Sequence, residues 1–461
     1  MPSQVLFNNI PGNIRVPFFY AEFQPGGTPY QQNARLLLIG QRLSTGQATV
    51  NTPVLVRQGS EDLHFGANSM LSTMIKVARR NAPVQEIWGL PVDDLSGGVK
   101  ATGKLTVNGA PVAQATTLSI YISGVRVRIG VLSTDTNANI ATNLAAAINA
   151  TAGLPVTAAV NGTNNYEVDL TARHKGTLGN AIVVDRGILG EDGRAAFDLI
   201  TVAAMASGAG DPDIQTALAA LGDDEFDWIG SPYADSTNLG RASDLLNDVN
   251  GRWSYLKQIY GHYICAKADT VANLSTLGNA RNNQHETIFP CNKFLSTPWE
   301  VAAAVSAKAA LHLQDAPELS RPLQTLVLEG IKGPRLRADW LTVSDRQTLY
   351  YDGISGYHIR RDGSVAIDRL VTTYQSNAWG DADWTYLDVE TMAQSMYGIR
   401  YIRTDVTSKH GRQALADDNP GRLAHIVTPA DIKGSIIHAY AKLVRSEGVF
   451  ENLPAFERSL I

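Results

Sequence analysis

Apolar positions follow two different periods in the first hundred residues of the chain. Arg35–Ile39 is a continuous apolar run, which is typical of a buried parallel strand. Ser69–Arg80 repeats apolar residues at helical spacing, and Glu86–Leu90 forms a second apolar run. A strand, a helix and a strand in this order predict a βαβ-like unit. The alternation stops there and resumes after a long interval, so we predict an α/β domain built from two pieces of chain, residues 34–90 and 211–330.

Capping signals predict where helices start in the second piece. Asp211 followed by Pro212 predicts an N-cap and a helix over Asp213–Leu221. The residues from Thr297 to Glu300 have the spacing of a capping box, which predicts a helix over Pro298–His312. Strands and helices alternate between these two starts. This pattern indicates a doubly wound sheet whose first strands precede the interruption.

Residues 91–210 contain short strands separated by turns, which predicts a mostly-β domain inserted into the α/β domain. The dipeptides Asn108-Gly109 and Asn161-Gly162 are typical of two-residue hairpin turns. One helix, about Thr136–Ala150, is predicted between the strands. Leu189–Asp211 is rich in Gly and Ala and has few large residues, so we predict a linker that returns the chain to the α/β domain.

Residues 331–448 are predicted to form a C-terminal α+β domain. We predict strands around Thr342–Ser344 and Gly363–Val371, followed by a helix over Val389–Thr407. The sequence Thr428-Pro429-Ala430-Asp431 predicts the cap of a final helix that ends near Ser446. Residues 449–461 are predicted to form an extended C-terminal extension.

Both termini are predicted to be extended arms. Pro and Gly punctuate residues 1–33, and Pro restricts the apolar stretch within them to an edge strand or an extended segment. Such a strand either packs on its own domain or adds to the sheet of a neighbouring subunit. The predicted fold class is therefore α/β and α+β multidomain, with a discontinuous α/β core, an inserted mostly-β domain, an α+β C-terminal domain and extended terminal arms. The residues that we assign to an inter-subunit arm are Ile14, Val16, Phe18, Phe19, Tyr20, Phe23, Leu460 and Ile461.

Composition limits the possible functions. Of the 461 residues, 44% are hydrophobic, and the formal net charge is −5, which fits a folded chain and excludes dominant disorder. Without a basic excess, a dedicated nucleic-acid binder is not expected. Cys265 and Cys291 are too few for a disulfide framework or a four-ligand zinc site. No apolar run approaches the ~20 residues of a membrane span, so no membrane insertion is expected.

The candidate chemical motifs are incomplete. Gly98–Lys104 has the spacing of a phosphate-binding loop, but Leu105 stands where Ser or Thr should hold magnesium. Asp381, Asp383 and Asp388 resemble part of a calcium loop that lacks its required Gly, so we interpret them as acids at a helix entry. No set of nucleophile, base and orienting residue is recognisable. We therefore expect no catalysis, no metal and no cofactor, and a binding or structural role.

The most specific segment is Gly353–Tyr374, which reads Gly-Ile-Ser-Gly-Tyr-His-Ile-Arg-Arg-Asp-Gly-Ser-Val-Ala-Ile-Asp-Arg-Leu-Val-Thr-Thr-Tyr. Together with the helix entry at Thr428 and the motif from Ile10 to Pro17, this segment resembles the tail sheath proteins of contractile phages, in particular those of Mu-like phages. The resemblance covers essentially the whole chain and is least firm in residues 91–210. The signature residues that carry it are Gly363, Val365, Arg369, Thr372, Thr373 and Tyr374.

The resemblance implies a structural protein of the virion that is made in the host cytoplasm. It implies a homo-oligomer, a helical stack of hexameric rings around a tail tube protein, with baseplate and tail terminator proteins as further partners and no direct contact with nucleic acid. Exchanged N- and C-terminal arms would connect neighbouring subunits. Contraction would drive the tube through the host envelope for genome delivery. Family members continue past the position of Ile461 with a further strand, which leaves the C-terminal half of an arm exchange open.

Two alternatives remain open at the level of sequence. A bacterial injection device, such as a contractile bacteriocin, would use a sheath of the same class. An α/β enzyme is the second alternative, because strands and helices alternate across Asp211–His312. Such an enzyme would need a ligand site at the carboxyl ends of its parallel strands.

Overall fold

The computed structural model describes residues 34–110, 112–186, 198–314, 321–421 and 423–460, which form a mixed α/β fold with several sheets. The helices are α1 Glu61–Phe65, α2 Met70–Asn81, α3 Asn137–Ala150, α4 Gln215–Ala219, α5 Ser236–Leu246, α6 Val271–Asn279, α7 Pro298–Gln314, α8 Val343–Tyr351, α9 Val389–His410, α10 Pro429–Arg445 and α11 Leu453–Ser459. The strands are β1 Arg35–Gln41, β2 Val54–Leu55, β3 Glu86–Val92, β4 Lys100–Val107, β5 Thr116–Ile122, β6 Val125–Val131, β7 Val156–Val160, β8 Glu167–Lys175, β9 Val184–Arg186, β10 Ile200–Ala206, β11 Trp228–Ser231, β12 His262–Lys267, β13 Glu286–Pro290, β14 Val327–Lys332, β15 Gly356–Ile359, β16 Ser364–Arg369, β17 Ala414–Leu415 and β18 Ile426–Val427.

A six-stranded sheet lies at the centre, in the order β13-β12-β11-β1-β3-β2. All of its neighbouring strands are parallel except β2, which pairs antiparallel with β3. Leu36 and Leu38 of β1 pack into one hydrophobic cluster with α2 and α7, whereas Leu37 and Ile39 pack into another with α4, α5 and α6. Burial on both faces explains why β1 is a continuous apolar run.

The chain between β3 and β11 forms two smaller antiparallel sheets, β10-β4-β8-β7 and β6-β5-β9, and the helix α3. The hairpin at Asn161-Gly162 is confirmed, because β7 pairs with β8, but its loop spans residues 161–166 rather than two residues, and Asn161 N–H donates to the Glu167 carbonyl across it. The hairpin predicted at Asn108-Gly109 is wrong. The strand before it, β4, already has β8 and β10 on its two edges, so no edge is left for β5.

Two further predictions about local structure need correction. Part of the predicted linker, Ile200–Ala206, is strand β10, whose Ile200 and Met205 side chains are buried; small residues between them did not prevent pairing with β4. Asp211 does not cap a helix. Its carboxylate accepts hydrogen bonds from the backbone and hydroxyl of Thr177, and Asp213 accepts one from the backbone N–H of Gln215 instead.

The C-terminal part contains the three-stranded sheet β14-β16-β15 and the helices α8 to α11. Thr342–Ser344, predicted as a strand, is the start of helix α8, because Thr342 and Asp345 form a capping box. The capping box predicted for α10 at Thr428 and Asp431 is confirmed. No helix of the described residues is long and apolar enough to cross a membrane.

The predicted extended conformation of residues 449–461 is wrong for Leu453–Ser459, which forms α11. The side chain of Asn452 accepts a hydrogen bond from the Ala455 N–H and caps this helix, and Pro454 stands in its first turn. The ring of Phe456 stacks on Tyr440 of α10 with ring centres 3.8 Å apart. The aromatic contact and the cap together stabilise this helix, which the apolar pattern of the last residues does not predict.

Candidate assembly site

The signature segment forms a hairpin that leads into the centre of the C-terminal part. Strands β15 and β16 pair antiparallel, and the turn between them contains Gly363 with φ of +83°, a conformation that favours glycine. Asp362 accepts hydrogen bonds from the backbone N–H (2.9 Å) and hydroxyl (2.6 Å) of Ser364. These bonds lower the pKa of Asp362. Val365 is fully buried, so one face of the hairpin belongs to the core.

The same segment covers the outer edge of the parallel sheet. Strand β13 is the last strand on that side, and an open strand edge is an aggregation risk. The N–H of Ser355 donates to the Ile288 carbonyl (3.0 Å), and the N–H of Thr373 donates to the Glu286 carbonyl (3.0 Å). The signature thus connects the C-terminal sheet to the central sheet through main-chain bonds.

Thr373 forms the polar centre of this connection. Its side chain is fully buried, and its Oγ1 lies 2.8 Å from Glu286 Oε1 and 3.1 Å from the Asn283 backbone N, which donates to it. Arg281 binds both carboxylate oxygens of Glu286 at 2.7 Å. The hydrogen bond to Glu286 raises the pKa of the Arg281 guanidinium. A buried carboxylate with this many donors satisfies its hydrogen-bonding capacity inside the protein.

The remaining signature residues fix the loop that precedes α9. Arg369 binds Asp388 through two hydrogen bonds of 2.7 and 2.9 Å, and the Thr372 hydroxyl donates to the Tyr386 carbonyl at 2.7 Å. The Tyr374 hydroxyl donates to Asp383 at 2.6 Å; desolvation and this bond raise the pKa of Tyr374 to about 12. Asp383 and Asp388, which we interpreted as acids at a helix entry, thus hold signature side chains, and Asp388 is the N-cap residue of α9. No three acidic, His or Cys residues cluster as a metal site among the described residues.

The two groups of predicted site residues have different outcomes. Arg369, Thr372, Thr373 and Tyr374 come together beside the joint between the two sheets, whereas Gly363 and Val365 lie in and next to the turn at the other end of the β15–β16 hairpin. The arm residues Ile14, Val16, Phe18, Phe19, Tyr20, Phe23 and Ile461 lie outside the described residues. Leu460 follows α11, is half-buried, and its carbonyl accepts a hydrogen bond from Lys433.

The carboxyl ends of β1 and β11 are the place where parallel sheets of this strand order bind ligands. Here residues of the segment between β3 and β11 lie against the carboxyl end of β1. The buried amide of Gln41 donates to Asp94 Oδ1 and to the Lys175 carbonyl, each at 2.8 Å. The position that an α/β enzyme would use is therefore a contact between two parts of the chain.

Asp94 and His174 strengthen this contact. His174 Nε2 accepts a hydrogen bond from the Met70 N–H at 3.0 Å, so its Nδ1 carries the proton and donates to Asp94, also at 3.0 Å. Burial alone would raise the pKa of Asp94, but the bonds from His174 and the Lys175 N–H lower it overall. Sequence reasoning missed this network because its members are 80 to 104 positions apart and share no local motif.

Known proteins match this chain along almost its whole length. A family model for the phage tail sheath protein central domain matches residues 207–373. The Mu-like prophage FluMu tail sheath protein of Haemophilus influenzae is 33% identical over 466 residues, which cover 99% of this chain and 92% of that protein. The chain belongs to the phage tail sheath protein family. The resemblance seen in the signature segment is thereby confirmed.

Two solved structures are also similar to this sheath protein. The sheath tail protein from Listeria innocua has a TM-score of 0.47 and 11% identity, and the match covers 92% of this chain and 87% of that one. The helical sheath of the anti-feeding prophage in its contracted state has a TM-score of 0.40 and 10% identity, and the match covers 94% of this chain and 84% of that one. Both TM-scores are below 0.5, so the family assignment rests on the sequence matches.

Membership in this family has two direct consequences. The chain is a structural subunit of a contractile tail sheath, in a phage or a related injection device, and a phage tail sheath is a component of the virion. The family is a structural one and not an enzyme family, so the alternative of an α/β enzyme is excluded.

Proposed function

We propose that this sheath protein polymerises as stacked hexameric rings around the tail tube of a Mu-like phage. The rings are anchored at a baseplate and closed by a terminator protein. On triggering they contract and drive the tube through the host envelope, which delivers the genome. The observation that carries this proposal is the 33% identity to a Mu-like tail sheath protein along 99% of the chain.

The organisation of the chain supports this role. The proposed units are the arm 1–33, the α/β domain 34–90 and 211–330, the inserted domain 91–210, the C-terminal domain 331–448 and the extension 449–461. Strands from both pieces of the α/β domain share one sheet, and the signature segment joins that sheet to the C-terminal part. A subunit connected in this way can move as one rigid body when the lattice rearranges.

The energy for contraction comes from the lattice in this proposal. Subunits assemble in a less favourable arrangement and move to a better-packed one, a two-state change that needs no nucleotide. The residues of the N-terminal arm, among them Phe18 and Tyr20, add a strand to a neighbouring subunit and keep the copies connected during the movement. An open series of such heterologous contacts propagates as a ring or helix.

Expression of the full-length chain alone tests the proposal. Negative-stain electron microscopy is expected to show rings or tubes, and persistent monomers at high concentration would contradict it. Deleting Met1–Phe23 is expected to abolish the polymers while the monomer stays folded by circular dichroism. Unchanged tubes from the deletion would refute the arm exchange but not the sheath role. Capsid and terminase genes beside this gene would identify a phage, and their absence an injection device.

A further inference from the structure

Two tryptophans are exposed on a short hairpin that is stabilised by several hydrogen bonds. Trp379 is 86% exposed and Trp384 is 75% exposed. Side chains of this size are normally buried in a folded chain, and aromatic residues held rigidly at a surface are typical anchors of protein–protein contacts. Leaving both in water is a cost to the isolated subunit, so a covering partner is expected.

The hairpin is held in place by its own hydrogen bonds. Ser376 and Ala382 form an antiparallel bridge, and Gly380 has φ of +85° in the turn between them. The side chain of Asn377 accepts from the backbone N–H groups of Trp379 (2.9 Å) and Asp381 (3.0 Å). The tryptophan at the tip is therefore presented in a fixed position, which lowers the entropy lost when a partner binds.

The base of the hairpin is attached at the amino end of the parallel sheet. Asn282, which lies just before β13, accepts from the Gln375 N–H at 2.8 Å and donates to the Ser376 carbonyl at 2.9 Å. The two acidic residues of the hairpin, Asp381 and Asp383, give this end a negative charge beside the tryptophans. We refer to residues 376–384 as the tryptophan hairpin.

A basic turn lies at the opposite end of the same sheet. Ser355, just before β15, is bonded to β13, and Ile359 at the end of β15 lies next to Gly333. The Gly333 carbonyl accepts a hydrogen bond from the N–H of Leu295, which follows the carboxyl end of β13, so β15 ends near that end of the sheet. The turn that follows contains Arg360 and Arg361, both exposed. We refer to residues 360–363 as the arginine turn. Strand β16 then runs back to Thr373 at the amino end of β13, so the arginine turn and the tryptophan hairpin cannot meet within one copy.

We propose that the arginine turn of one copy of this chain docks on the tryptophan hairpin of a second copy. The chemistry is complementary, because a guanidinium binds well to the face of a tryptophan ring and is attracted by the two carboxylates. Complementary surfaces at opposite ends of one sheet can make a head-to-tail contact between copies, which repeats around a ring or along a helix. This inference rests on the proposed function, because it assigns a contact between sheath subunits.

Two other arginines are already engaged within their own copy. Arg369 is bound to Asp388, and Arg35 lies 3.1 Å from Glu86. In the arginine turn, by contrast, the guanidinium of Arg360 donates to the neutral carbonyl of Thr325, and its charge also interacts with Asp362 of the same turn. Arg361 projects from the same turn. The two arginines outnumber the single Asp362, so the arginine turn has a net positive charge at the end of the sheet opposite the tryptophan hairpin.

Truncation of the tryptophans tests the energy of the contact. In the full-length chain, the double change Trp379→Ala and Trp384→Ala is expected to raise the concentration needed for assembly about 10- to 30-fold, as for interface anchors elsewhere. Sedimentation measures that concentration. Tyr166→Ala, which removes an exposed aromatic ring far from the hairpin in the chain, is the matched control and should assemble as the unchanged chain does. Assembly of the double variant at the unchanged concentration, with folding intact, would overturn the proposal.

Cysteine cross-linking tests the geometry. Cys265 and Cys291 are buried, so the pair Arg361→Cys and Asp381→Cys adds the only exposed thiols of the described residues. Under mild oxidation this full-length variant should give a ladder of covalent oligomers, whereas Arg361→Cys alone should stop at dimers. The pair Arg361→Cys and Lys257→Cys, with another exposed position, is the control and should give no ladder.

The outcomes separate this inference from the proposed function. Rings or tubes without the ladder would overturn the contact and leave the sheath assembly standing. A ladder without rings or tubes would support the contact and contradict the ring assembly. Neither polymers nor a ladder would overturn both, and an equal ladder from the Lys257 control would show random collision and overturn the contact.

Discussion

Arg400 and Asp227 form a buried ion pair that joins the long helix α9 to the central sheet. Asp227 is fully buried and Arg400 is 5% exposed. The same guanidinium donates to the Ile259 carbonyl at 3.2 Å, and the other oxygen of Asp227 accepts from the Arg35 N–H at 3.1 Å. One carboxylate therefore connects the start of β1, the start of β11 and the C-terminal part. The start of β1, where the described chain enters the central sheet, is thereby connected to α9 through Asp227.

Replacing Asp227 by Asn is expected to destabilise the protein strongly. The change removes the buried carboxylate beside Arg400 and leaves it only the partly exposed Glu225, at 3.3 Å, as a charged partner. Breaking a buried pair costs about 3–5 kcal/mol when no charged partner remains, so we expect a cost of up to about that size. The denaturation midpoint in urea, followed by circular dichroism, measures the effect. Arg369→Gln breaks the more exposed pair with Asp388 and is the matched control, with an expected cost under about 1 kcal/mol. Equal losses from the two variants would contradict this account of Asp227.

Gly278 of α6 is expected to tolerate no larger side chain. A Cβ atom there would lie 1.9 Å from the carbonyl oxygen of Asp352, far inside van der Waals contact. Gly278→Ala should therefore lower the thermal midpoint clearly. A Cβ atom at Gly240 of α5 would meet no neighbouring atom within 4 Å, so Gly240→Ala should be neutral or gain up to about 1 kcal/mol from helix propensity. A stable Gly278→Ala variant would show that the loop at Asp352 can move away.

Local signals allowed part of the fold to be predicted. The capping box of Thr428 and Asp431 lies within four residues, so its chemistry is visible in the sequence and the predicted helix start is correct. The same kind of box at Thr342 and Asp345 was overlooked, and a strand was predicted where α8 begins. At Asp211 the sequence predicts a helix cap that the structure does not have. Its carboxylate instead accepts a hydrogen bond from the N–H of Thr177, a residue far away in the chain.

Contacts between distant residues could not be predicted from the pattern. The signature segment was recognised, but its bond from Thr373 to Glu286 spans 87 positions, and that of Arg400 to Asp227 spans 173. Apolar periodicity indicates that a strand is buried, but it does not show which other strand or helix packs against it. The sequence pattern therefore could not predict that Ser355 and Thr373 cover the edge of β13; only the folded structure shows this contact.

Burial of His262 predicts a loss of stability in acid. Desolvation, with a smaller effect of His285, lowers the pKa of His262 to about 3, whereas an unfolded imidazole has a pKa of about 6.5. Between these values the unfolded chain binds a proton that the folded chain does not. The free energy of unfolding should therefore fall as the pH drops from about 6.5 to about 3, by about 1.4 kcal/mol per pH unit from this residue.

Urea titrations at several pH values test this dependence. His262→Asn removes the titrating ring, so its free energy of unfolding should fall less steeply with acid, by about one proton, even if the variant is less stable at neutral pH. His425→Gln changes an exposed histidine and is expected to keep the slope of the unchanged chain. Parallel slopes for the His262 variant and the unchanged chain would disprove the assignment.

Thr373→Val is expected to open the joint between the two sheets. Valine keeps the shape of the side chain but removes the hydroxyl, so Glu286 Oε1 and the Asn283 N–H lose a buried partner, at a cost of about 1–3 kcal/mol. Because the joint also holds the Ser355 N–H on β13, amide hydrogen exchange at Ser355 should quicken, while exchange at Tyr263 in β12 stays slow. Thr373→Ser retains the hydroxyl and should keep Ser355 protected. If Ser355 exchanged faster in the serine variant than in the valine variant, packing of the methyl group rather than the hydroxyl would hold the edge of β13.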